Sequence, residues 1–173
     1  METNHVPATD WTKVEPGCCC PRFEPNGWDD QEFHFRDKAF VHTRTHSAFH
    51  IPLDVGSMFK RTWRAIRDAH ADGNEFIVMS DESAMWHGEH YFSVEHDVPG
   101  AENIKLTGDF LTHVFEGPYS KAPEWAREMK QIVAYRGRQM GRLYFYYTTC
   151  PKCAKKYGKN YVVGIAQLGS VTN

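Results

Sequence analysis

Two kinds of hydrophobic pattern recur along this chain, in the same order in each half. The segment "KAFVHTRTHSAF" alternates apolar and polar side chains and is rich in β-formers, which predicts a strand from about Lys38 to Phe49, ended by Pro52. In "VGSMFKRTWRAIRDAH" the spacing changes: Val55, Met58, Phe59, Thr62, Trp63 and Ile66 share a face, with Lys60, Arg61, Arg64, Arg67 and Asp68 largely opposite. That is an amphipathic helix over 55–70, closed by Asp72, Gly73 and Asn74. "EFIVMS" and "HYFSVEHDV" then read as strands around the loop "DESAMWHGE". The second half repeats the plan. "IKLTGDFLTHVFEG" is a strand, and "APEWAREMKQIVAYRG" is a helix with Pro123 in its first turn and Gly137 after it. "LYFYYTT" and "YVVGIAQL" are the closing strands, around the loop "CPKCAKKYGKN", whose "AKKYGKN" portion reads as turn-like.

Two strand-helix-strand-strand units, about 38–98 and 102–168, predict an α+β fold. They pair edge to edge into one antiparallel sheet with both helices on one face and a ligand cleft on the other. Residues 1–31, with Pro7, Pro16, Pro21, Pro25, Gly17 and Gly27 and no sustained period, read as an extended arm ahead of a single domain over 32–170. At 173 residues and 41% hydrophobic, the chain can bury one sizeable core. A net charge of -2 gives no basic field for nucleic acid. No apolar run approaches the roughly 20 residues of a membrane span, and the N-terminus does not read as a secretory signal, so a cytoplasmic protein is expected.

The five cysteines sharpen this picture. Cys18, Cys19 and Cys20 adjoin in the arm, Cys150 and Cys153 form a Cys-Pro-Lys-Cys knuckle, and none lies between. In a reducing compartment such clusters are metal ligands or free thiols rather than disulfides. A structural zinc held by Cys19, Cys20, Cys150 and Cys153 would anchor an arm that little local burial can order, with Cys18 or a histidine as the alternative fourth ligand. A redox role is disfavoured because such motifs normally open a helix after a strand.

"YFSVEHDVPGAENIKL" followed by "GDFLTHVFEGPYSKAPEWAREM" resembles the central signature of the GyrI-like small-molecule-binding family, with Gly117, Pro118 and Tyr119 between a strand and an amphipathic helix. The likeness spans roughly 38–168. The Cys-Cys-Pro-Arg-Phe arm and the Cys-Pro-Lys-Cys loop resemble a distinct bacterial branch of that family. The resemblance implies a cleft between the two units for amphipathic, aromatic or cationic small molecules, and in some relatives hydrolysis of reactive genotoxins. The resemblance also implies, in many members, a glutamate on the strand after the second helix, two residues before a tyrosine, that holds a cation or activates water. If Tyr147 matches that tyrosine, Phe145 stands in the glutamate's place.

Acid chemistry must then come from elsewhere, and Glu82 and Glu116 are the candidates to orient water or hold a cation. Trp86, Tyr144, Tyr146, Phe110 and His50 are the candidate ligand-lining residues. By alternation Tyr144 and Tyr146 share one face of their strand, Phe145 and Tyr147 the other. His42, His46 and His50 also share a face, but with no evident carboxylate partner they read as half-exposed strand histidines rather than a metal site. The basic run "KCAKKYGK" reads as a solvated loop tip before a nucleic-acid patch. The expected function is small-molecule binding with hydrolysis of an amphipathic or electrophilic aromatic compound. The alternative is a non-catalytic module that sequesters a ligand or binds a partner protein.

Overall fold

A computed structural model describes residues 3–48, 51–52, 54–84 and 87–171. The elements are β1 (Glu32–Ala48), β2 (Ile51–Pro52), α1 (Val55–Asp68), β3 (Val78–Asp81), β4 (His87–Ser93), β5 (Glu102–Glu116), α2 (Ala122–Tyr135), β6 (Arg138–Tyr147), α3 (Pro151–Tyr157) and β7 (Tyr161–Val171). The α+β architecture and the order of the two units are as the periodicity predicts. Boundaries differ at β1, which begins at Glu32, and at β4, which begins at His87.

The loop after the knuckle differs in kind. Its turn-like reading is corrected: residues 151–157 form a helix, with Cys150 at its N-cap, Pro151 in its first turn and Gly158 at φ 71° closing it in the left-handed conformation that glycine tolerates.

All strand pairings are antiparallel, and the sheet closes on itself. β1 pairs with β4 on one side and β5 on the other, giving a ring in the order β1-β4-β3-β6-β7-β5, to which β2 is appended. The two units meet at β3 and β6, where Ser80 lies opposite Phe145. Side chains paired in this way point to the same face. Ser80 reaches His90 beneath Phe59 of α1, and Phe145 lies against Trp125 of α2, so both helices cover the outside of the ring.

Close packing of α2 on the sheet depends on Gly164 of β7, where an added Cβ would sit 2.9 Å from Met129 Sδ and from a Phe115 ring carbon. Leu111, Phe115, Trp125, Met129, Val133 and Val162 form this smaller core. Outside the first unit, His90 is a buried polar knot: Nδ1 lies 2.8 Å from Ser80 Oγ and Nε2 2.9 Å from Thr45 Oγ1. Burial pushes its pKa down to about 4.

The inside is filled by a continuous run of rings. Phe40 meets Phe35, Phe35 meets Phe110, Phe110 meets Tyr144, Tyr144 meets Tyr91, and Tyr91 stacks on His42 at 5.0 Å. The arm closes one end of this interior. Trp28 packs on Phe33 and Tyr146, and Phe23 packs on Trp28, Tyr146 and Tyr161. Backbone bonds fix the arm there: Thr112 N–H donates to Gln31 O at 2.9 Å, and its hydroxyl to Trp28 O. Among the described residues, no helix is long and apolar enough to cross a membrane.

Candidate functional site

Two constellations carry chemistry. The first fastens the arm. The sulfurs of Cys19, Cys20, Cys150 and Cys153 all lie within 4.8 Å of one another, with Cys19 Sγ 3.8 Å from Cys20 Sγ, 3.8 Å from Cys150 Sγ and 3.9 Å from Cys153 Sγ. A tetrahedron with metal–sulfur bonds of about 2.3 Å has edges of about 3.8 Å, so the four thiols fit a metal ion.

Backbone amides support charge on the sulfurs. Cys19 N–H points to Cys153 Sγ and Cys150 N–H to Cys20 Sγ, each at 3.3 Å. Burial works to raise Cys153, but backbone hydrogen bonds from Cys19 and Cys20, with the side chains of Cys150 and Cys18, outweigh it and bring its pKa down to about 6, while burial pushes the Cys20 and Cys19 thiols up. Around the cluster, Tyr157 donates to Cys20 O at 2.6 Å, Arg22 lies 4.6 Å over the Tyr157 ring, and Lys156 donates to Pro16 O. The knuckle does open a helix after a strand, which removes the premise used against a redox motif. The arrival of Cys19 and Cys20 between its two sulfurs is what distinguishes this site from a dithiol pair.

The second constellation lies inside the ring at the end opposite the arm. Neighbouring strands bring His42 of β1 beside Tyr91 of β4 and Glu102 of β5, and Arg44 beside Glu89. Glu89 is the hub, with its side chain 23% exposed. One oxygen takes His42 Nε2 at 2.7 Å and the Tyr91 hydroxyl at 3.2 Å; the other takes Arg44 Nε at 3.0 Å and faces His87 Nε2 at 3.6 Å. Burial alone would raise Glu89, but the His42 and Arg44 hydrogen bonds hold it below the usual carboxylate range. Tyr91 is pushed up to about 12, chiefly by burial and then by Glu89, so its hydroxyl keeps its proton. Tyr144 is raised by burial, against the pull of Arg142 hydrogen-bonded to it. A fixed negative charge therefore sits over an aromatic floor, rimmed by arginines.

The predicted site residues divide among different places. Tyr144 and Phe110 belong to this floor and the packing below it, while Tyr146 shares their face but lies under Trp28 and Phe23. Glu82 is elsewhere: its carboxylate accepts from Tyr147 at 2.6 Å, and Tyr147 packs with Tyr119 and Phe145 on the helix-bearing side. Glu116, at the end of β5, is exposed and 3.5 Å from Lys159 Nζ. Neither acid is brought to Tyr144 or Tyr146. Trp86 and His50 lie outside the described residues.

A small pocket of about 180 Å³ lies between arm and knuckle, lined by Arg22, Phe23, Tyr157, Lys159 and Tyr161 among others. It is smaller than the ~300 Å³ at which drug-sized ligand sites begin.

A family profile described as "Bacterial hydrolase" matches residues 10–168, which takes in the cysteine arm, the ring and the knuckle. The chain belongs to that bacterial hydrolase family. No curated protein matches the chain at a significant level. Among solved structures, an uncharacterized conserved protein from Listeria innocua is similar over 82% of this chain and 92% of its own, at 9% identity and a TM-score of 0.57. SAV2435, solved bound to tetraphenylphosphonium, is similar over 82% of this chain and 94% of its own, at 9% identity and a TM-score of 0.51. At such identities the likeness is one of fold. The GyrI-like resemblance read from the sequence is not what the family profile names.

In this bacterial hydrolase family member, sequence reasoning missed Glu89, Tyr91, Arg142 and the role of His42. The half-exposed reading of His42 is corrected: the residue is buried, and both ring nitrogens face carboxylates. A signal was present in "GEHY", a glutamate two residues before a strand tyrosine, but on β4 rather than on the strand after the second helix.

Proposed function

We propose that this protein binds an amphipathic, aromatic, cationic small molecule at the open end of the ring. Glu89 supplies the countercharge, and Tyr91 and Tyr144 supply the aromatic surface. The observation that carries this reading is a partly exposed carboxylate held ionised beside two tyrosine rings. An ionised acid against aromatic faces attracts a delocalised cation through both charge and ring quadrupole. The tetraphenylphosphonium bound by SAV2435, a protein of similar fold, is a ligand of this chemical class. Titration calorimetry with tetraphenylphosphonium is the test. Saturable binding that falls at least tenfold in Glu89→Gln supports the reading; no binding, or binding indifferent to Glu89, refutes it.

Hydrolysis is the second reading, favoured by the family description. A substrate of electrophilic aromatic type would be held as above, with Glu89 orienting water and the Tyr91 hydroxyl donating to the leaving atom. Glu82 and Glu116, the acids expected from sequence, serve this reading less well because one is bound to Tyr147 and the other paired with Lys159. Product formation separates hydrolysis from sequestration, since a sequestering module protects only in proportion to its own amount.

The thiol cluster is proposed to hold zinc in a closed structural site, the ion that four thiolates at tetrahedral spacing suit. Its residues Cys19, Cys20, Cys150 and Cys153 would tie the arm to α3, and a cytoplasmic location would keep those thiols reduced.

A further inference from the structure

His42 is enclosed by acid on both sides. Its side chain is 5% exposed, with Nε2 2.7 Å from Glu89 and Nδ1 3.0 Å from Glu102. Nε2 is hydrogen-bonded to Glu89 and Nδ1 stands at ion-pair distance from Glu102; carboxylates offer no donor, so a ring with a proton on each nitrogen, an imidazolium, is the form that both acids favour. The neutral ring would turn a lone pair toward one of the two acids. Packing fixes this arrangement: the ring stacks on Tyr91, and the flanking strands β4 and β5 pair with β1 on its two sides at this position.

The charge of Glu89 is therefore already committed to donors inside the protein. A cation that reaches Glu89 must displace one of them or lie beside it. Arg44 cannot give up its charge near neutral pH, whereas imidazole is the side chain that changes charge between about pH 5 and 8. The other groups facing this corner are Tyr91 and His87 on β4, Glu102 on β5, Asp81 on β3, and Arg142 and Tyr144 on β6; His90 acts on it from the outer face. The tyrosines keep their protons, and the rim arginines keep their charge.

We infer that His42 is an internal counter-ion that exchanges with the ligand: capture of a cation at Glu89 expels one proton from His42 to solvent. The exchange balances in charge, since the protonated protein plus a monocation gives the complex plus a free proton. The inference rests on the proposed capture at Glu89 and adds its control. Affinity rises as pH rises, by up to about tenfold per unit while His42 is protonated in the free protein, and levels off once it is neutral. The site would hold its ligand in neutral surroundings and surrender it on acidification.

Tetraphenylphosphonium is the probe, because it carries a permanent charge and no titratable group, so that any proton released comes from the protein. Its binding is measured by calorimetry from pH 5.5 to 8 in two buffers of different ionisation enthalpy. The expected result is close to one proton released at the acid end, falling toward none at pH 8, with affinity rising in step. His42→Gln should bind with no proton release and a flat profile. Glu102→Gln removes the acid at Nδ1 from an exposed position and should reduce the release while raising affinity at pH 6, which keeps the test valid if His42→Gln fails to fold. Binding without proton release, or release that persists in His42→Gln, overturns the inference and leaves the capture reading standing. No binding at any pH overturns the capture reading and this inference with it.

Discussion

The two ends of the ring are built from the same kind of side chain and put to opposite uses. At the arm end, Tyr146 is closed over by Trp28 and Phe23, and Thr112 holds the arm's backbone through its N–H and its hydroxyl; the rings there meet apolar neighbours. At the other end, Tyr144 and Tyr91 lie in the same inner layer, but what stands above them is charge: Glu89, Arg44, Arg142 and Glu102. Alternation along β6 makes Tyr144 and Tyr146 equivalent in facing. Only the neighbours delivered by distant segments make one a packed core residue and the other the floor of a polar mouth. Both are buried; a sheet strand assigns a side chain to a face, and it is the rest of the chain that decides whether rings or charges cover it.

The sharpest way to break this comparison is to unfasten the arm. With zinc bound as proposed, chelation forfeits binding free energy on the order of 10 kcal/mol and Cys150→Ser forfeits part of it. Residues 1–31 should become protease-sensitive while 32–171 stay folded; continued protection of the arm would show that Trp28 and Phe23, not the thiols, hold it. Trp28→Ala should cost about 3–5 kcal/mol in denaturant unfolding, since it empties a fully packed site. Affinity for tetraphenylphosphonium should stay within about twofold, because the change lies at the sealed end.

Acid should then separate His42 from His90, one held between carboxylates and the other packed against Ser80 and Thr45. His90 has its folded pKa lowered to about 4 from the 6.5 of a free imidazole, so the unfolded chain takes up the proton first. Its contribution is therefore intact above pH 6.5 and is lost as pH falls toward 4, a loss of roughly 3 kcal/mol. Urea unfolding at pH 7 and pH 4.5 reads that loss directly, and His90→Gln should remove this part of the pH dependence. The smallest effect is expected at the rim. Arg44→Ala removes an exposed partner of Glu89, should cost less than about 1 kcal/mol of stability, and should raise cation affinity a few-fold.

Much of this was readable along the chain. The helical stripe Trp125, Met129 and Val133, with Pro123 ahead of it, fixes α2 without reference to anything distant. The two cysteine clusters announced a meeting, because thiols confined to two short segments have few other reasons to be so placed. Ring closure was not readable, since the pairing of β1 with β5 joins residues some 70 positions apart and no local pattern encodes it. His42 was misread for the same reason: its two acids arrive on β4 and β5, so inspection of its own strand shows no partner. The helix over 151–157 escaped because a seven-residue segment rich in lysine gives little periodicity; Tyr157 and Cys153, buried against the arm, stabilise it from outside.

The thiol cluster also has a consequence in time. Cys19 and Cys150 are separated by 131 positions, so the arm leaves the ribosome long before its partners exist. At about 5–20 residues per second the wait is several seconds to half a minute, during which its three adjacent thiols have only one another. The arm, made before the ring, is fastened only after the ring's strands up to β6 have been made. Every newborn chain thus passes through a period in which the inner face that Trp28 will seal has not yet been built.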